Sequence, residues 1–216
     1  MTSHYYIIGL GNPDEKYRDT PHNVGFQVLD VLRRVWQGTD WKRDNTLNAV
    51  TSRCESSGAS FLLIKPETYM NRSGDTVRKL IKQDEGEDEE DRGEGRDERV
   101  IGRFLVVHDD IDLPRGSLRI TRRGGAGGHR GVSSVAQALG TDEFVRFKIG
   151  IAPVDENGEM RKPQRTVDGE AAVSEYVLKP QPAFAREIQE EIAPVIAEAM
   201  GVLVREGVDV AMNKYN

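Results

Sequence analysis

The sequence predicts a single-domain α/β fold in which a mixed β-sheet is flanked by helices. Three observations point to it. Short continuous apolar runs recur along the chain, as at Tyr5–Ile8, Phe61–Ile64 and Phe104–Val107. Segments with helical apolar spacing alternate with those runs. The 216 residues suit one domain with a single core, residues 1–216. Uninterrupted apolar strands favour central places in a sheet covered on both faces.

The elements follow in order. Tyr5-Tyr6-Ile7-Ile8 reads as a buried strand ending at Gly9, with turn chemistry in Gly11-Asn12-Pro13. From Asn23 to about Trp36, Val24, Val28, Val31, Leu32 and Val35 keep helical spacing. Ala49-Val50-Thr51 and Phe61-Leu62-Leu63-Ile64 are strand-like, the second stopping at Pro66. After Ser73-Gly74, Val77, Leu80 and Ile81 mark a helix that runs into an acidic segment. Phe104–Val107 is a further buried run, bounded by His108-Asp109-Asp110, and Leu118-Arg119-Ile120 alternates like a half-exposed strand. A glycine cluster from Gly124 to Gly131 leads into a helix through Val132, Val135 and Leu139. Phe147–Ile151 is the last strand, and the tail from about Ala183 to Val204 is helical in pattern, interrupted at Pro194.

Composition narrows the function classes. No apolar stretch reaches the roughly 20 residues of a membrane span, and the N-terminus shows no basic region followed by an apolar one. Cys54 is the only cysteine, so no intramolecular disulfide framework forms, which fits a reducing, cytoplasmic setting. The net charge of −6 argues against nucleic acid until its distribution is seen. Between Asp84 and Glu98 ten acids face two bases, a local charge of −8 that leaves +2 for the rest. That segment, at about 84–99, lacks apolar periodicity and reads as a solvated, disordered loop. It serves as a solubilising insertion, or it competes with RNA for the protein's own basic surface.

Chemistry-bearing residues gather where an α/β sheet puts its site, beyond the carboxyl ends of strands. Four polar clusters follow or lie near such ends: Gly9–Pro13, Thr20–Asn23, Lys65–Asn71 and His108–Asp112. Gly9-Leu10-Gly11 lacks the third glycine of a dinucleotide fingerprint, and the chain holds neither a phosphate-binding G-x-x-x-x-G-K loop nor a Gly-x-Ser-x-Gly elbow. Of the four histidines, His22 sits among polar residues in the best setting for a general base, or else caps a helix start. Asp109 or Asp112 supplies the carboxylate that would fix its tautomer. His108–Asp112 is otherwise a charged turn, or a divalent-metal site built on His108, Asp109 and Asp112. From Arg115 to Arg123 the chain carries arginines, followed by glycines and then His129-Arg130 before a helix. This run suits phosphate binding, against the alternative of a solvated glycine loop.

Together these clusters resemble the bacterial-type peptidyl-tRNA hydrolase family. The resemblance is carried by Gly9-Leu10-Gly11-Asn12-Pro13 with Tyr17, by Thr20-Pro21-His22-Asn23-Val24-Gly25-Phe26, and by Lys65-Pro66-Glu67-Thr68-Tyr69-Met70-Asn71-Arg72-Ser73-Gly74. It continues through His108-Asp109-Asp110-Ile111-Asp112-Leu113-Pro114, Gly128-His129-Arg130-Gly131, Phe147–Ile151 and Ala211-Met212-Asn213. It implies a carboxylic ester hydrolase that splits peptide from tRNA and frees tRNA for reuse in translation. It also implies a monomer with no cofactor and no metal, and peptidyl-tRNA as partner. In that pattern His22 is the general base, Asp109 holds it, and Asn12 helps tell blocked from free aminoacyl ends. Tyr17, Tyr69 and Asn71 match positions that contact substrate or tRNA. Two departures stand out. Pro21 replaces a common arginine, and Arg130 replaces the asparagine counted among tRNA contacts. An RNA-binding relative without hydrolysis and a metal-dependent hydrolase are the competing expectations.

Overall fold

A computed structural model describes residues 3–85, 98–161, 163 and 170–216. Seven strands form one mixed sheet: β1 (Ser3–Gly9), β2 (Lys42–Asp44), β3 (Ala49–Ser56), β4 (Ala59–Pro66), β5 (Phe104–Pro114), β6 (Leu118–Thr121) and β7 (Val145–Ala152). Their order is β2-β3-β4-β1-β5-β7-β6. The central four run parallel, and β2, β3 and β6 pair antiparallel at the two sides. The chain builds outward from β1 to β4 on one side and to β5 on the other. The crevice beyond the carboxyl ends of β1 and β5 is therefore the topological switch point of the sheet.

Alternating side chains of the strands feed two cores. Ile7, Leu105, Val107 and Phe147 face one side, where α1 (Val24–Val35) and α7 (Ala193–Glu206) cover them with Val28, Leu32, Ile196 and Met200. Ile8, Ile64 and Val106 face the other, under α2 (Ser73–Glu85) and α4 (Arg130–Leu139), which contribute Val77, Leu80, Val132 and Val135. The single-domain, mixed-sheet architecture expected from the alternation is what forms. The remaining helices are α3 (Glu98–Ile101), α5 (Glu170–Leu178), α6 (Pro182–Glu187) and α8 (Val208–Tyr215), with a π-turn at Ile188–Ile192.

Several expectations are corrected. β5 does not stop at Val107 but runs through His108–Asp112 to Pro114, so this cluster is strand rather than charged turn. Parallel pairing to β7 continues through His108↔Lys148 and Asp109↔Ile149, so Asp109 is held by a ladder on a central strand. Asp84 belongs to α2, where its carboxylate accepts from the Tyr6 hydroxyl at 2.6 Å and pairs with Arg103. Most of the expected acidic loop lies outside the described residues. Pro194 begins α7 in the first turn, where its missing N–H costs nothing, and the π-turn precedes it. The short polar strand β2 and the helices α5 and α8 lacked an apolar signature strong enough to be read.

Candidate active site

His22 is set by backbone packing. Gly9 and Gly25 let the start of α1 lie directly on the strand ends. A Cβ on Gly25 would sit 2.4 Å from Leu10 N and 2.5 Å from Val107 O. A side chain at either glycine would push the helix off the ends of β1 and β5. The 3-10 turn Pro21–Asn23 just before that helix is thereby brought against β5. Pro21 is buried at the first position of this turn, where no N–H is needed. The family's arginine is thus replaced by a ring that preorganises the turn.

His22 Nδ1 lies 3.0 Å from both Oδ1 and Oδ2 of Asp109. A carboxylate only accepts, so Nδ1 carries the proton and Nε2 keeps its lone pair. Burial alone would lower the His22 pKa, but the charge of Asp109 and its hydrogen bond together outweigh burial and raise it, while Arg130 opposes them. Burial likewise pushes Asp109 up, yet His22 and His129 overcome it and hold the carboxyl well below its usual range. His22 does not cap α1; its ring is committed to Asp109.

Asn12 is locked by two neighbours. Its backbone N–H donates to Asn23 Oδ1 at 2.9 Å and its carbonyl accepts from Asn23 Nδ2 at 3.0 Å. Its side-chain Oδ1 accepts from Met70 N–H at 2.9 Å. No described residue accepts from its Nδ2, and Asn12 lines a groove of about 450 Å³ with Asn23, Phe26, Trp41 and Lys65. Asn71 follows Met70 on the 3-10 turn Met70–Arg72 and is exposed. Tyr69, 54% exposed, donates to Asp14 Oδ2 at 3.1 Å and so ties that turn to the segment after Asn12. Tyr17 is half-buried, and its carbonyl accepts the Thr20 hydroxyl at 2.7 Å two residues before His22. Arg130, exposed, opens α4 close enough to lower the His22 pKa.

The expected metal set is not assembled. His108 points its Nδ1 at the Asp109 carbonyl, 2.7 Å away, and Asp112 is exposed. Among the described residues the group with metal-ligand spacing is His22, Asp109 and His129. Its facing imidazole nitrogens are both hydrogen-bonded to Asp109, which suits a proton-holding set better than ligand lone pairs. His129 is the residue sequence reading misplaced. Expected at a phosphate site, its ring turns inward onto Asp109 instead. Arg146 was not singled out at all. It is 2% exposed and donates to the carbonyls of Gly124, Gly125 and Asp142, anchoring the glycine segment. Arg115, counted among the phosphate arginines, is engaged by Glu187 and stacks over Phe184.

The family described as Peptidyl-tRNA hydrolase matches residues 6–216. The chain belongs to this family. A peptidyl-tRNA hydrolase of Thermodesulfovibrio yellowstonii is 38% identical over 215 residues, covering 97% of each chain. One of Fervidobacterium nodosum is 38% identical over 210 residues, covering 97% of this chain and 94% of its own. A solved peptidyl-tRNA hydrolase of Acinetobacter baumannii superposes with a TM-score of 0.77 at 28% identity, covering all of this chain and 96% of its own.

Proposed function

We propose that this chain hydrolyses the ester between a peptide, or another N-blocked aminoacyl group, and tRNA, freeing the tRNA. The single observation that carries the reading is the buried Asp109 carboxylate gripping His22 Nδ1, which leaves Nε2 open as a base. An aminoacyl ester is already activated, so positioning, one base and an oxyanion donor suffice. His22 Nε2 takes a proton from water as the oxygen attacks the ester carbonyl carbon. Asp109 stabilises the imidazolium that forms. Asn12 Nδ2, aimed by the Met70 N–H, donates to the developing oxyanion. Collapse expels the ribose oxygen, which receives the proton from His22 Nε2.

The remaining assignments belong to the same reading. Tyr17, Tyr69 and Asn71 contact the acceptor end, the two tyrosines offering exposed or half-exposed rings on which a base stacks. Arg119 and Arg122 are exposed beside the glycine segment and, with Arg130, form a basic face for phosphates. The protein acts as a monomer in the cytoplasm, as one domain; no helix among the described residues is long and apolar enough to cross a membrane. Purified protein should release free tRNA from N-acetylaminoacyl-tRNA with and without EDTA. No cleavage, or cleavage abolished by the chelator, refutes the reading. Arg130→Asn should change KM and its dependence on salt.

A further inference from the structure

Asp109 serves two imidazoles, and the second has no part in the proton transfers above. His129 Nε2 lies 2.9 Å from Asp109 Oδ1, 20 residues away along the chain. At its other end, His129 Nδ1 accepts the Val132 N–H at 3.2 Å as the N-cap of α4. A nitrogen that accepts an N–H keeps its lone pair, so the proton of a neutral His129 must sit on Nε2, facing the carboxylate.

We propose that His129 is a positioning residue for the hydrolytic base: it clamps the Asp109 carboxylate at Oδ1, beside His22, and holds it in the orientation that aims the His22 ring. The inference rests on His22 being the base. A buried carboxylate with donors on one side only can swivel about its χ angles, and His22 would follow it. With His22 bonded to both oxygens and His129 to Oδ1, the plane of the carboxylate is set from two directions. The clamp is itself rigid. The His129 ring stands edge-on to His108 with centroids 4.9 Å apart, and 5.0 Å from His22. A Cβ on Gly131 would come within 3.1 Å of His129 Cε1, so the first turn of α4 presses on the ring. Capping alone does not call for an imidazole; Ser, Asp or Asn caps a helix better. What those side chains lack is a donor reaching from the cap to the carboxylate.

The test separates cap from clamp. His129→Ser retains a capping oxygen and removes the Nε2–H donor. We expect a folded protein with near wild-type Tm, a KM within about two-fold, and a kcat lower by about ten- to a hundred-fold, the scale of a small misplacement of a catalytic group. Stripped of one donor, Asp109 holds the His22 proton more tightly, so the acidic limb of kcat/KM shifts to higher pH. The other charged or titratable groups about this cluster are the same in both proteins: His108 on β5, Lys148 on β7 and Arg130 on α4, while α5, which lies against the His22 turn, carries Glu175 and Tyr176. Histidine NMR gives a readout independent of turnover. In the wild type His129 should show the Nε2–H tautomer, and the His22 titration should move up in His129→Ser. An unshifted His22 titration with unchanged kcat, a defect confined to KM, or an Nδ1–H or doubly protonated His129 near pH 7 would overturn the proposal. Should the wild type fail to cleave, the NMR arms still decide the clamp, so the two failures are distinguishable.

Discussion

His108 illustrates how far a buried imidazole can be driven from its ordinary behaviour, and its replacement gives a quantitative test. The residue is 3% exposed on a central strand. Its Nδ1 donates to the Asp109 carbonyl at 2.7 Å, and its Nε2 finds no hydrogen-bond partner among the described residues. Protonating Nε2 would bury a positive charge beside His129 with nothing to accept it, and burial drives the pKa from 6.5 to about 3. The folded value is depressed. Its contribution is therefore intact above pH 6.5 and is lost as pH falls from there toward 3, because only the unfolded chain takes the proton. Each full unit in that window costs about 1.4 kcal/mol, so unfolding free energy at pH 4.5 should be lower by about 2.7 kcal/mol from this residue alone. Against a typical total of about 5–15 kcal/mol this is readily measured. Urea unfolding of wild type and His108→Asn at half-unit intervals from pH 7.5 to 4.5 supplies the comparison. The asparagine adds a constant cost for lost volume, and that cost should shrink by about 2.7 kcal/mol across the range as the wild type alone weakens. His22, whose raised pKa works in the opposite direction, is present in both proteins and cancels. A difference that stays flat from pH 6.5 to 4.5 refutes the assignment.

Further outcomes follow from the same geometry. His22→Ala should lower kcat on N-acetylaminoacyl-tRNA by about 10²–10⁴-fold with KM little changed, as expected for loss of a general base; a defect confined to KM would contradict it. Asp109→Asn removes the charge that raises the His22 pKa, leaving burial and Arg130 in control, so the acidic limb of kcat/KM should move to lower pH while kcat drops. An upward shift would be the wrong sign. Asn12→Asp keeps the acceptor for Met70 N–H but replaces the Nδ2 donor, and kcat should fall by about 10²–10³-fold at unchanged Tm. Arg146→Met strands the carbonyls of Gly124, Gly125 and Asp142 and should cost about 1–3 kcal/mol by urea unfolding, with loosened protection of the glycine segment in hydrogen exchange.

The parts legible in the sequence were those set by local pattern. Apolar runs such as Phe104–Val107 and the helical spacing of Val24, Val28 and Leu32 are periodic over a few residues, and they located the layers and both central strands. His22 and Asp109 stood out as polar residues near strand ends, and the switch-point rule is what makes such ends converge. Parts that depend on contacts across the chain were not legible. The bond from His129 to Asp109 spans β6 and the glycine segment, and no spacing announces it. Arg146 alternates with Val145 and Phe147 like any strand residue; only the fold shows that it is buried and donates to carbonyls. The charged-turn reading of His108–Asp112 failed for a physical reason. Charged residues depress strand propensity locally, but pairing with β7 overrides it, and Lys148 neutralises Asp110 at 2.5 Å from the neighbouring strand.

Extension of β5 past its apolar run is also what makes the site. Along a strand, successive side chains point to opposite faces. Were the chain to turn after Val107, Asp109 would hang on a loop, and its carboxylate could relax toward water, where it would do little to the His22 pKa. Held in register against Ile149 on a central strand, it stays 4% exposed. Burial there would protonate an isolated carboxyl, and it remains charged because two imidazoles donate to it. His22 and His108 begin as the same group and end on opposite sides of their ordinary pKa: the His22 ring hydrogen-bonds the Asp109 carboxylate, while the His108 ring hydrogen-bonds the Asp109 backbone carbonyl. The acceptor decides which histidine is lifted above its ordinary pKa and which stays a neutral strut.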